Sequence, residues 1–434
     1  MIALYAALLT LIAALTERCL RRWPTTADHA RSIRKYWLIP YVLCSLLPPA
    51  GAFLPEMRVR YACQAAGNVW LGFALCYGGL LAVLSIAGAV IPAVAAPAVD
   101  TPALLRKAEA PAARGWNPKD SPRLVAPAKG NGATAVRRGR RYGKLHGAVL
   151  CLSLCGALAL LGYGLVHAQQ TRVVSYDLAV EKPAAEGHEE MKLVLIGDLH
   201  LGVNSRLAAT ERMVELINAE HPDIVVVAGD IFTSCYGGLS HPEQYAGALR
   251  GIRSKYGVYA VYGNHDVEEA LFGGFSVAPV SGAFRSGAME GFCEDSGFIM
   301  LSDETVTLPN GVQLAGRIDG EKAGDGTKDR MTPGELLSRT DPSAPVLVLQ
   351  HEPVEFGTLA EAGADVTLCG HTHAGQIFPG NLIVPFLCEN AWGYRRTGGL
   401  DTFVTAGVGY YGPPMRVGTD SEITVINMRF KGGE

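Results

Sequence analysis

The chain reads as an α/β globular part set behind an N-terminal helical membrane region, and three observations predict this. Apolar residues of the first third form blocks of membrane-spanning length, cationic residues crowd between those blocks, and the later sequence alternates short β-branched runs with helix-period stretches. Of 434 residues 49% are hydrophobic, more than a soluble core of this size requires, while only 18% are charged and the net charge is −3. That balance excludes an acidic disordered chain and leaves no whole-chain basic excess for gripping nucleic acid. The 51 glycines and 25 prolines follow no repeat, so collagen-like and solenoid architectures fall away, and ten cysteines are too sparse for a disulfide-scaffolded miniprotein.

The apolar blocks run Met1 to Leu15, Trp37 to Leu54, Val69 to about Val94 and Leu145 to His167, against the ~20 residues that cross a bilayer core as helix. The first is short. It carries no Lys or Arg up to Thr16, unlike the basic start of a secretory leader, and so reads as a short span. The loop after it holds Arg18, Arg21, Arg22, Arg31, Arg34 and Lys35, the next only Arg58 and Arg60, and the third is basic from Arg106 to Lys144. Loops one and three are therefore expected in the cytoplasm and everything after His167 outside it. The expected organisation is three transmembrane helices over 1–99, a basic Pro/Ala-rich cytoplasmic linker over 100–144, a fourth transmembrane helix over 145–168 and a globular domain over 169–434. The setting is a multi-pass protein of the cytoplasmic membrane with an extracytoplasmic domain. Two competing readings are weaker: soluble core helices do not explain blocks this long, and Arg140-Arg141 as a twin-arginine signal is internal. The linker reads equally as a flexible tether or as a strip resting on anionic headgroups.

From Thr171 the pattern changes. Thr171 to Val180, Leu193 to Ile196, Ile224 to Ala228, Val258 to Tyr262, Val346 to Leu349 and Val366 to Leu368 read as strands, most of them buried. Between the second and third lies Leu207 to Ala219, whose Leu207, Met213, Val214, Leu216 and Ile217 share a helical face, with Ser205 ahead as a cap and Pro222 behind.

The residues that end each strand carry the chemistry. The runs close on Gly197-Asp198-Leu199-His200, Gly229-Asp230, Gly263-Asn264-His265-Asp266, Gln350-His351-Glu352-Pro353 and Gly370-His371-Thr372-His373, at the carboxyl ends where α/β sheets build their sites. Asp, Asn and His offer oxygen and imidazole nitrogen without thiolate, a donor set suited to Mn, Fe or Zn. Asp198, His200, Asp230, Asn264, His351, His371 and His373 are too many for one tetrahedral ion, and two divalent metal ions sharing Asp230 accommodate them. Each fragment alone is commonplace; their order, each behind its own strand, is not. His221 and His241 stand apart from any such fragment and read as turn or surface residues.

This series resembles the motifs of the calcineurin-like metallophosphoesterase superfamily, and Gly370-His371-Thr372-His373-Ala374-Gly375-Gln376, with Gly407-Val408-Gly409 and Pro414-Met415-Arg416, resembles its membrane-anchored bacterial branch. The likeness covers roughly Arg172 to Met428. It implies a sandwich of two mixed sheets flanked by helices, with Asp198, His200, Asp230 and His373 on one ion and Asp230, Asn264, His351 and His371 on the other. It further implies that His265 faces the scissile phosphate, with Asp266 orienting it. Two departures stand out: no second acid follows Asp230 in Ile231-Phe232-Thr233-Ser234, and Ala374 replaces the usual glycine.

The expected function is a dimetal phosphoesterase acting on a phosphomonoester, phosphodiester or pyrophosphate at the outer membrane face. Its substrate is a phosphorylated compound, with a membrane lipid a candidate because three residues separate the last span from the first strand. A catalytically inactive sensor or scaffold is the competing reading, opposed by the complete ligand series. Nucleic acid is not an expected partner, since no basic, aromatic-interleaved groove is evident. Val267 to Gly297, with Phe272, Phe275, Phe284 and Phe292, reads as a lid, a substrate wall or ordinary loop packing; Gly320 to Arg330 reads as a surface loop. Cys235, Cys293, Cys369 and Cys388 lie in the same domain, where Cys369 reads as a buried thiol.

Overall fold

A computed structural model describes residues 2–23, 27–54, 57–94, 132–276, 284–326 and 329–431. Among these, four helices are long and apolar enough to cross a membrane, over Ile2–Arg22, Ser32–Phe53, Met57–Ala89 and Lys144–His167. Residues 100–131 of the expected linker lie outside the described set. Its last part does not stay irregular: helix runs unbroken over Gly132–His167, as the Ala- and Arg-rich sequence ahead of the apolar block favours.

The chain forms two compact units. One joins Ala3–Tyr41 to Ala74–Leu158. Its helices meet through small side chains and a few polar contacts: Gly78 lets Ile12 approach so closely that a Cβ there would lie 2.8 Å from it, Thr16 Oγ1 and Tyr77 OH are 3.1 Å apart, and Tyr41 OH donates to the Leu9 carbonyl at 2.6 Å. Lipid tails offer no hydrophobic incentive for helix association, so close packing and buried hydrogen bonds take that role.

The second unit joins Val42–Phe73 to Ala159–Glu434 and contains two six-stranded sheets. In chain order the strands are β1 (Thr171–Val180), β2 (Glu190–Ile196), β3 (Ile224–Ala228), β4 (Val258–Val261), the short hairpin β5 (Leu271–Phe272) and β6 (Phe275–Ser276), β7 (Phe298–Met300), β8 (Glu304–Thr307), β9 (Gln313–Gly316), β10 (Val346–Leu349), β11 (Val366–Cys369), β12 (Gly393–Thr397), β13 (Leu400–Val404) and β14 (Ser421–Phe430). One sheet is ordered β1-β14-β2-β3-β4-β7, parallel except for β14 against β2; the other is β12-β13-β11-β10-β9-β8, parallel except at its two edges. All six strand runs read from sequence are present.

Side-chain alternation explains why the two sheets stack. On β2 and β3, Val194, Ile196, Val225 and Val227 point into a core shared with Met213, Val214 and Ile217 of the helix over Leu207–Ala219. Their neighbours Leu193, Leu195, Ile224 and Val226 turn the other way, to meet Leu347, Leu349, Val366 and Leu368 of the second sheet. A third core lies behind that sheet, under Phe356 and Leu359. Strands buried on both faces read as continuous apolar runs for this reason, and each fully buried Leu or Val contributes about 1.5–3 kcal/mol. Ser205 does not cap the helix: its hydroxyl accepts from Gly202 N at 2.9 Å, and Arg206 holds the cap position.

Candidate metal centre

Parallel strands from both sheets end on the same side, and the five polar fragments leave from β2, β3, β4, β10 and β11. Each chain must turn at once to aim a side chain across the strand ends. Asp198, His200, Asp230, His371 and His373 all have left-handed backbone, with φ between 46° and 77°. Such conformations cost a non-glycine residue roughly 1–3 kcal/mol each and persist where the surroundings over-determine them, as at functional sites. Gly229 is needed where two strand ends pass: a Cβ there would lie 2.7 Å from Gly263 N and 2.9 Å from His351 Nδ1.

Two ligand-type groups result, buried except for the half-buried His371. Asp198, His200 and His373 converge in one and Asp230, His351 and His371 in the other, the donor atoms of each lying within 4.8 Å of one another. Asp230 faces both groups, its Oδ2 being 3.5 Å from His200 Nε2 and 3.1 Å from His351 Nε2, while its Oδ1 accepts from His265 N at 2.8 Å. Asn264 Oδ1 is 3.1 Å from His351 Nε2. All seven side chains named from sequence are therefore brought together.

Imidazoles confront each other in pairs: His200 Nε2 and His373 Nε2 are 3.0 Å apart, His371 Nδ1 and His351 Nε2 3.2 Å. Nitrogens about 2.0–2.1 Å from a common ion sit about 3 Å apart, so these pairs match edges of coordination polyhedra. His200 Nδ1 is buried with no hydrogen-bond partner among the described residues. The donor chemistry and spacing thus fit two divalent cations.

Electrostatics agree. Burial pushes Asp198 up to about 7 and drives His200 down to about 3 and His371 to about 4, with His373 also held well below the usual imidazole range. Burial opposes the Asp230 charge too, but His351, His265 and His200 around it outweigh that and hold it well below the carboxylate range. His351 is buried as well, yet Asp230 and Asp198 raise it well above normal. Perturbation this concentrated in one cleft marks a functional site.

His265 is half-buried and belongs to neither group. Burial lowers its pKa. Its Nδ1 lies 3.0 Å from Ser234 Oγ, and its ring packs on Tyr411 with centroids 4.1 Å apart. Asp266 does not orient it. The Asp266 carboxylate accepts from Phe232 N at 2.9 Å and Gly263 N at 2.7 Å, bracing the turn after β4, so the orienting partner of the ring is Ser234.

Further contributors lie outside the five strand-end fragments. Glu321 Oε2 accepts from Asn264 Nδ2 at 2.7 Å, so the segment read as a surface loop, exposed at Glu321, Asp325 and Asp329, reaches the site through this carboxylate. Fully buried Arg416 donates to the carbonyls of His373, Ala406, Gly407 and Gly409. Of the aromatic residues after the His265 motif, Phe292 is core, Phe284 is exposed, and Phe275 meets Tyr411 edge-on at 5.1 Å; residues 277–283 lie outside the described set. His221 and His241 are exposed, and the four cysteines of this region are free thiols, Cys369 fully buried.

Comparison with known proteins agrees with this geometry. Residues 191–375 match the calcineurin-like phosphoesterase family. A transmembrane protein with metallophosphoesterase domain from Danio rerio is 32% identical over 66% of this chain and 64% of its own length, and one of the same description from Bos taurus is 32% identical over 67% and 66%. A metallophosphoesterase of Aquifex aeolicus is 28% identical over 64% of this chain and 98% of its own. The chain thus spans just under two thirds of the two transmembrane relatives.

Proposed function

Because the globular part of this chain belongs to the calcineurin-like metallophosphoesterases, we propose that the protein is a membrane-anchored dimetal hydrolase of a phosphomonoester, phosphodiester or pyrophosphate, working at the outer membrane face. The observation that carries this reading is Asp230, whose carboxylate faces both ligand groups. Asp198, His200, Asp230 and His373 would hold one ion, Asp230, Asn264, His351 and His371 the other. When bound, two such cations would supply a water nucleophile at neutral pH and Lewis-acid stabilisation of a phosphoryl group. The protein's own groups complete the reaction: His265, held by Ser234 and Tyr411 beside the two ligand groups, would stabilise charge or hand a proton to the leaving oxygen.

Outward orientation is supported by the cationic excess of the first and third loops. A lipid-linked phosphate is favoured as substrate by the closeness of span and site. Arg416 N donates to Gly164 O of the last helix at 3.1 Å, while its guanidinium reaches the His373 carbonyl at 3.3 Å. The test is turnover of an aryl phosphate by metal-stripped protein given Mn²⁺ or Zn²⁺; no turnover with any divalent ion refutes the activity. A headgroup phosphate cleaved as fast as its lipid-embedded form counts against the lipid substrate.

A further inference from the structure

Ten large hydrophobic side chains are exposed among the described residues after 168, and seven of them fall between Phe378 and Tyr394. Phe386 is 88% exposed and Leu387 75%, with Phe378, Leu382 and Ile383 beside them. No charged side chain occurs from Ala374 to Cys388, and beyond the single acid Glu389 come Trp392 and Tyr394, then Arg395 and Arg396. An apolar patch this concentrated on an otherwise ordinary surface marks a contact surface, and its succession of apolar, aromatic and cationic residues is that of a membrane interface.

The patch is tied to the end of the last candidate span. Phe378 N donates to Val417 O at 2.8 Å, and Asn381 Nδ2 to Gly418 O at 3.3 Å. The loop that holds these carbonyls is itself seated on the helix: Met415 packs so tightly on Gly164 that a Cβ there would lie 2.8 Å from it, and Asp420 pairs with His167 at 2.8 Å. Behind the patch is a cavity of about 500 Å³ whose wall runs from Asp420 to Ala374, the neighbour of His373.

We propose that residues 377–387 form a second membrane contact, dipping their apolar side chains into the bilayer beside the span. The inference rests on the last helix crossing a membrane and not on the hydrolytic reaction. The bilayer is the occupant because one loop joins patch and span, which sets the patch at the level where the helix leaves the membrane.

The test uses the full chain in liposomes of phosphatidylcholine and phosphatidylglycerol, with Phe386 replaced by photoreactive p-benzoylphenylalanine and, in a separate protein, Leu382. Ile299 on β7, at the opposite edge of the sheet from β1, serves as the reference position. After irradiation, intact-mass spectrometry should find phospholipid adducts at either patch position at least tenfold above Ile299. Yields no higher than at Ile299, or an adduct with the mass of two chains, overturn the proposal, the latter because a second copy then covers the patch. Turnover of a soluble aryl phosphate by F386S should equal that of the parent; failure of hydrolysis in every protein would touch the proposed reaction and leave the lipid adducts as they are.

Discussion

Asn264 is held from behind by Glu321: its Nδ2 donates to Glu321 Oε2 at 2.7 Å, and the amide thereby turns Oδ1 to within 3.1 Å of His351 Nε2. Partners that orient a ligating side chain commonly account for 10–100-fold in metal affinity. E321A should weaken one of the two ions by roughly that factor, read by chelator competition, and E321Q, which keeps an acceptor, should recover most of it. Two ions bound by E321A as tightly as by the parent would remove Glu321 from the centre.

His265 and its neighbours separate chemistry from scaffolding. H265A should lower kcat on an aryl phosphate by ~10²–10⁴ while metal content stays constant. S234A gives up one hydrogen bond to the ring, about 1 kcal/mol or roughly fivefold in rate. D266A should behave differently, because it strands two buried backbone N–H groups, at about 1–3 kcal/mol each, and so lowers the melting temperature. A D266A protein of parental stability but without activity would restore Asp266 to the chemistry.

Metal uptake should depend on pH with a definite sign. Asp198, raised to about 7 by burial, keeps its proton below that pH, and His351 is likewise held protonated, so an entering cation must displace those protons. His200 and His371, at about 3 and 4, are already neutral above pH 5 and release none. Affinity should therefore fall as pH drops from 7.5 to 5.5, by about one decade per pH unit for each displaced proton. Calorimetry in buffers of different ionisation enthalpy counts the protons; a flat affinity over this window contradicts the assignment.

Arg416 should prove essential to the fold around the centre. It is fully buried, and although burial lowers its pKa to about 10 it stays charged at neutral pH, serving four backbone carbonyls. R416M strands those acceptors and should cost roughly 3 kcal/mol or more, visible as a lower melting temperature in detergent. Unchanged melting would mean that the carbonyls find other partners.

The strands and the seven ligand-type residues are legible in the sequence because they obey local rules: a buried parallel strand is a short apolar run, and the residues just past its carboxyl end line the site. The contributors that escape such rules are those whose roles arise only on folding. Glu321 lies 57 positions from Asn264 and Tyr411 far from His265, in loops with no distinguishing period. Asp266 misleads because adjacency to His265 in sequence suggests adjacency of side chains, whereas the turn after β4 sends its carboxylate inward to Phe232 and Gly263. The helix over Gly132–His167 begins earlier than the apolar block because helices do not stop where hydrophobicity does.

Metal stoichiometry of the purified full-length protein, with and without Asp230→Ala, tests the centre most directly. The proposed arrangement predicts two divalent ions per chain in the parent, and loss of both or all but a trace in D230A, because that carboxylate faces each group. Fewer than one ion in the parent, or two retained by D230A, would contradict it.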